Sequence, residues 1–153
     1  MSKQSAGILL FRRTNGPEVL LVHPGGPFWK NKDEGAWSIP KGEFELHEDV
    51  LEAAKREFIE ETGKELSGKF LALEPVKMKS GKIVHAFAIE GNMDEKNIRS
   101  NEFEMEWPPR SGKRSFFPEV DKAAWFDIPT ARKKINAAQV PLLDQLVNKL
   151  IGE

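Results

Sequence analysis

Gly42-Glu43-Phe44-Glu45-Leu46-His47-Glu48-Asp49-Val50-Leu51-Glu52-Ala53-Ala54-Lys55-Arg56-Glu57-Phe58-Ile59-Glu60-Glu61-Thr62-Gly63 is the stretch whose spacing decides how this chain is read. At about 100° per residue, Val50, Leu51, Ala54 and Phe58 share one arc of a helix, the side that must face a core. Glu61 falls inside that arc and Glu57 just beside it, next to Ala53. Two carboxylates thus flank or enter a buried stripe, and burying an unpaired ion is very costly. Glu57 also has Glu60 and Glu61 at i+3 and i+4, spacings at which like charges destabilise a helix by roughly 0.2–0.5 kcal/mol per pair. A hard divalent cation removes that penalty. Magnesium or manganese suits oxygen ligands, and the chain has no Cys to offer a softer alternative. A plainer account uses the same residues: Glu52, Arg56 and Glu60 form i,i+4 pairs, as on an ordinary solvated, salt-bridged face.

The flanking residues decide between the two. Ile39-Pro40-Lys41-Gly42 leads in through an acidic loop, and Thr62-Gly63 ends the helix with the residue favoured there. Written out, the pattern is Gly42, five residues, Glu48, seven residues, then Arg56-Glu57-Phe58-Ile59-Glu60-Glu61-Thr62-Gly63, which resembles the Nudix box of the Nudix hydrolases. One position departs from it: Lys64 stands where a bulky aliphatic residue is usual, which bears on the loop after the helix more than on the acidic set. The resemblance implies an α+β Nudix fold, a mixed sheet between helices. It also implies Glu57, Glu60 and Glu61 as metal ligands, Gly42 offering its carbonyl, Arg56 orienting a carboxylate, and Glu48 supporting the cluster. The chemistry implied is metal-assisted attack of water on phosphorus.

The 153 residues suit one domain over 1–153. The lack of Cys excludes disulfides, thiol catalysis and the Cys-dependent isomerase chemistry known in the family. A formal net charge of -1 argues against a broad basic surface for duplex DNA. Met1-Ser2-Lys3-Gln4-Ser5-Ala6-Gly7 shows no basic segment followed by an apolar one, and no apolar run reaches membrane-spanning length. The expectation is a cytoplasmic protein with no membrane partner.

Ala6 to Arg12 and Val19 to His23 read as a hairpin turning at Thr14-Asn15-Gly16-Pro17, and Pro24 to Gly35 as a Gly/Pro loop. Ala36 to Ile39 reads as a short strand delivering Pro40-Lys41-Gly42 to the box. Strands are expected at Phe70 to Met78, Ile83 to Ile89 and Ala123 to Phe126, with a helix from about Pro141 to Ile151. Asn101 to Trp107 alternates Glu102, Glu104 and Glu106 with Phe103, Met105 and Trp107, giving an acidic and an apolar face. A basic loop at Arg110, Lys113 and Arg114 follows.

Beyond the box, Trp37-Ser38-Ile39-Pro40-Lys41-Gly42 resembles the corresponding segment of Nudix enzymes acting on dinucleoside polyphosphates and, more loosely, on inositol pyrophosphates or capped RNA. Lys41 is the candidate phosphate contact there, a point charge beside the metal site, or else a solvated turn lysine. Glu119 stands where several relatives place an extra carboxylate as metal ligand or general base, or is a solvated loop acid. Phe28 and Trp29 suit a ring held out for a base or one folded over the core. Arg110, with Lys113 and Arg114, is a candidate clamp for a distal phosphate or a solvated loop. His23, His47 and His85 form no ligand cluster, and His85 reads as a hydrogen-bonded core histidine. The expected partner is a small nucleotide, a nucleoside diphosphate linked to another moiety, such as a dinucleoside polyphosphate or NTP. The alternatives are RNA 5′-end pyrophosphohydrolysis and a non-enzymatic Nudix nucleotide-sensing module.

Overall fold

The computed structural model describes residues 3–152. Met1 and Ser2, which open the N-terminal segment discussed above, lie outside the described residues. The first two strands, β1 (Gln4–Arg12) and β2 (Glu18–Pro24), form the expected antiparallel hairpin. β1 is apolar almost throughout because both its faces are covered; Ile8, Leu9 and Leu10 have no exposed surface. Its other edge pairs in parallel with β6 (Ile83–Glu90), from Gln4 opposite Ile83 to Phe11 opposite Glu90. β2 pairs with β9 (Val120–Asp127), and the short β4 (Leu71–Ala72) pairs with β6, giving a mixed sheet of order β4-β6-β1-β2-β9.

Helix α1 (Val50–Thr62) covers one face. Ala53, Ala54 and Phe58 pack there against Ala6, Ile8, Leu10, Leu20 and Val22. Full burial of a side chain such as Phe58 is worth about 1.5–3 kcal/mol. Leu142, Leu143 and Leu146 of α3 (Val140–Ile151) cover the opposite face with Leu9, Phe11, Val19, Leu21 and Trp37. Helix α2 (Ile128–Lys134) adds Ala131 to that side. The α+β arrangement of a mixed sheet between helices is therefore present.

Four boundaries differ from expectation. Residues 36–39 make only isolated bridges, Ser38 to Val22 and Trp37 to Ile135. The strand falls just after them as β3 (Lys41–Glu43), antiparallel to β1 with Gly42 opposite Ala6. The long strand expected at 70–78 is two short pieces, β4 (Leu71–Ala72) and β5 (Val76–Lys77), split around Pro75, and both pair with β6. Arg114 is not in a loop: β8 (Arg114–Pro118) pairs with β7 (Glu102–Glu106) in a separate two-stranded sheet. Helix α2 was not expected; Asp127 caps it, and its sequence has no apolar periodicity to announce it.

Candidate active site

α1 is held at both ends. The Asp49 carboxylate accepts from the Glu52 N–H at 3.0 Å. Gly63 closes the helix in the left-handed conformation (φ 77°), its N–H on the Ile59 carbonyl, where a Cβ is disfavoured. Carbonyls of the last turn, which have no partner within a helix, are met from outside. Arg99 N–H donates to Thr62 O at 2.8 Å and Asn101 N–H to Glu60 O at 2.7 Å. The segment that closes the helix is the one that enters β7.

The acidic set lies on the inner side of this helix. Glu57 and Glu61 are 7% and 9% exposed. Burial, reinforced by Glu60, pushes the Glu57 carboxyl up to about 7 despite Arg56 beside it. Burial, reinforced by Glu57, pushes Glu61 up to about 8 against the pull of Lys41. One guanidinium serves three acids: Arg56 lies 3.2 Å from Glu48, 3.4 Å from Glu57 and 3.6 Å from Glu60. Glu48 is steadied in turn by the Glu45 N–H at 2.9 Å. Gly42 is pressed against the cluster from β3, so closely that a Cβ on it would overlap the Glu57 carboxylate.

Among the described residues no three His, Cys, Asp or Glu side chains are already arranged around a metal-sized position. Glu57 and Glu60 are turned onto Arg56. The donor chemistry still fits a hard divalent cation: these are oxygen ligands, two of them buried and short of positive charge, beside a backbone held open by glycine.

Lys41 sits next to Gly42, its N–H 3.3 Å from Glu61 Oε1. It is half-buried; burial lowers its pKa, and nearby Lys82 adds to the effect. It makes no ion pair among the described residues. Glu119 faces the same cluster, its pKa raised by burial and by Glu60. Lys41, Glu61 and Glu119 line one cleft of about 130 Å3 with Val22, Pro24, Ser38, Ile39 and Val120. A larger open groove of about 820 Å3 lies on the other flank, lined by Glu48 and Arg56 together with Lys3, Gln4, Phe44 and Leu46.

The structure therefore brings together Lys41, Gly42, Glu48, Arg56, Glu57, Glu60, Glu61 and Glu119. Phe28 and Trp29 stand apart in the loop after β2, edge to face at 5.0 Å, with the Lys32 ammonium 3.7 Å from the Phe28 ring centre. Phe28 is 64% exposed. Arg110 is exposed in the turn of the β7–β8 hairpin, its N–H on Glu106 Oε1 at 2.8 Å. His85 is held by Gln4 at 2.6 Å. His23 is buried, with Nδ1 2.9 Å from Asp121 Oδ1 and Nε2 2.6 Å from the Lys32 carbonyl oxygen, which ties the loop to β9. Asn101, whose backbone joins the helix end to Glu119, carried no signal in the sequence because its role is entirely main-chain.

The NUDIX-domain family model matches residues 1–146. The chain belongs to the Nudix family. As a Nudix hydrolase it acts on phosphoanhydride bonds. No curated protein matches the sequence. Among solved structures it is similar to the Ap4A hydrolase of C. elegans in a binary complex, at 20% identity and a TM-score of 0.69, covering 97% of this chain and 99% of that one. It is also similar to the Nudix domain of Shewanella oneidensis NrtR complexed with ADP ribose, at 14% identity and a TM-score of 0.66, covering 98% and 89%. A MutT structure from a study of Aliivibrio salmonicida and Vibrio cholerae is similar at 15% identity and a TM-score of 0.57, covering 95% and 96%. At these identities the likeness is one of fold. No helix among the described residues of this Nudix chain is long and apolar enough to cross a membrane.

Proposed function

We propose that this Nudix hydrolase is a single-domain, divalent-metal-dependent pyrophosphohydrolase that cleaves a nucleoside diphosphate linked to another moiety, a dinucleoside polyphosphate in first place or an NTP. The observation that carries this reading is the buried acidic cluster, in which Glu57, Glu60 and Glu48 share Arg56 and Glu61 accepts the Lys41 N–H without an ion pair among the described residues. Such a cluster is short of positive charge, and a polyphosphate with its cations supplies it. Glu57, Glu60, Glu61 and the Gly42 carbonyl would hold magnesium or manganese. When bound, the cation neutralises the phosphates and acidifies water.

The protein's own groups divide the remaining work. Arg56 fixes the carboxylates. The Lys41 ammonium, in no ion pair among the described residues, neutralises a phosphate in the cleft. Glu119, half-buried opposite the helix, accepts the proton of the attacking water at its carboxylate. Phe28 and Trp29 receive the nucleotide end, and Arg110 a distal phosphate. Recesses on both flanks of the cluster suit a substrate with a group at each end of its phosphate chain. The folds of the Ap4A hydrolase and of the ADP-ribose-bound NrtR domain support the same class.

The test is incubation with magnesium and a panel of NTPs, dinucleoside polyphosphates, nucleotide sugars and triphosphorylated RNA, with products identified by mass. Cleavage of a free nucleotide substrate is expected. Selective release of pyrophosphate from RNA would favour the RNA 5′-end reading, and binding without turnover would favour a sensing module.

A further inference from the structure

α1 also presents Glu52, Lys55, Arg56 and Ile59 to a recess of about 490 Å3. At 3.6 residues per turn these four stand roughly 120–180° around the helix from Glu61, which lines the Lys41 cleft, so the recess lies on another flank. Residues 63–70, the irregular run between α1 and β4, make its second wall with Leu66 and Phe70, both half-buried. Its floor is Ile8 and Phe58, at most 1% exposed. Apolar below and polar at the mouth, it has the build and the volume of a small-molecule site, for which about 300–1,000 Å3 is usual.

The charges around it select the ligand. Arg56 is committed to Glu48, Glu57 and Glu60. Lys55 lies 3.4 Å from Glu52 and holds its ammonium 5.0 Å from the centre of the Phe70 ring, a distance at which the negative face of a ring attracts a cation. Glu65 makes no ion pair among the described residues, and the lysines of the same run, Lys64 and Lys69, are not in the wall. The recess is therefore short of positive charge, and the Lys55 ammonium marks where such a charge sits. The Lys55–Glu52 pair is exposed and weakly held, so this ammonium yields its place on the ring to a competing one.

We propose that this recess binds a small organic cation, a primary amine on an apolar body. The body rests on Phe58, Ile59 and Leu66, the ammonium takes the place of Lys55 over Phe70, and Glu52 and Glu65 meet its charge. The site stands apart from the Lys41 cleft and does not depend on the hydrolase reading; Arg56 is the residue that its wall shares with the acidic cluster.

The test is an NMR titration of the whole chain near neutral pH with three probes that share one body: 2-phenylethylamine, 2-phenylethanol and 3-phenylpropionate. The amine is expected to shift the backbone amide signals of Ile59, Ser67 and Gly68 while those of Lys41 and Val120 stay in place, and to bind at least about threefold more tightly than the alcohol or the carboxylate. Lys55→Met, which clears the ring, should bind the amine more tightly than wild type, whereas Phe70→Leu and Glu65→Gln should each bind it at least about threefold more weakly. Glu65 is exposed, so Glu65→Gln decides the matter even where Phe70→Leu fails to fold. No shift with the amine, shifts centred on the cleft, an amine bound no better than the alcohol, or unchanged affinity in Lys55→Met or Glu65→Gln overturns the proposal. Preference for 3-phenylpropionate, lost in Lys55→Met, overturns it by making Lys55 an anchor for anions.

Discussion

Glu57 and Glu61 are the buried acids of the cluster, and their burial makes a measurable statement about pH. Both hold protons more tightly in the fold than in the unfolded chain, because desolvation raises them from 4.5 to about 7 and about 8. That contribution is complete below the unfolded value and is lost as pH rises through 7 and 8, so the metal-free protein loses stability across this window. A cation acts on the ionised forms. The gain in thermal midpoint on adding magnesium should therefore be larger at pH 8 than at pH 5.5, and an equal gain at both values would count against the assignment. Glu57→Gln and Glu61→Gln should each abolish most hydrolysis while the protein stays folded, and chelation should do the same to the wild type. Full activity in chelator sinks the metal reading. Arg56 is shared among three acids and works through a planar fork that an ammonium cannot copy. Arg56→Lys is expected to lower turnover at least tenfold with little change in melting; wild-type turnover would reduce Arg56 to a surface ion-pair partner.

Between elements, the decisive contact is β3 against α1. Gly42→Ala forces a methyl into the Glu57 carboxylate, and overpacking of this kind costs about 1–3 kcal/mol. It should lower both the thermal midpoint and activity, and retention of both would show that β3 moves aside freely. His23 plays a comparable part for the loop after β2, joining Asp121 to the Lys32 carbonyl. His23→Leu leaves that carbonyl unpaired, a loss of about 1–3 kcal/mol, and should make residues 25–35 a preferred site of limited proteolysis. A wild-type digestion pattern would show that the other tie, Lys134 and Trp37 on Asp33, is enough. α1 was legible because its period, its cap and its acids all agree. β3 was not, because Lys-Gly-Glu has no strand propensity and pairs only because β1 lies beside it. β8 was hidden for a related reason: its exposure alternates, but Ser115 is turned inward and Phe116 outward, 63% exposed, so apolar and polar residues do not alternate with it.

For the molecule as a whole, the apolar β1, β2 and α3 announced the layers, and the box announced the acidic cluster. Lys41 announced itself by its place next to Gly42, and Glu119 only through the resemblance, because what carries Glu119 to that cluster is pairing between segments far apart in sequence. The same pairing has a consequence for how the chain acquires its shape. β1 is the central strand, flanked along eight positions by β6, whose residues follow it by 79 places, as Gln4 opposite Ile83 shows. The ladder that holds Gly42 opposite Ala6 is anchored on that same strand. Closing such distant pairs is slow relative to forming a local helix. During synthesis the complete box is already made while its seat is half built, lacking the strand that pins β1 from the other side. A fragment ending at Gly63, or a ribosome stalled there, would carry every acid of the box and cleave nothing.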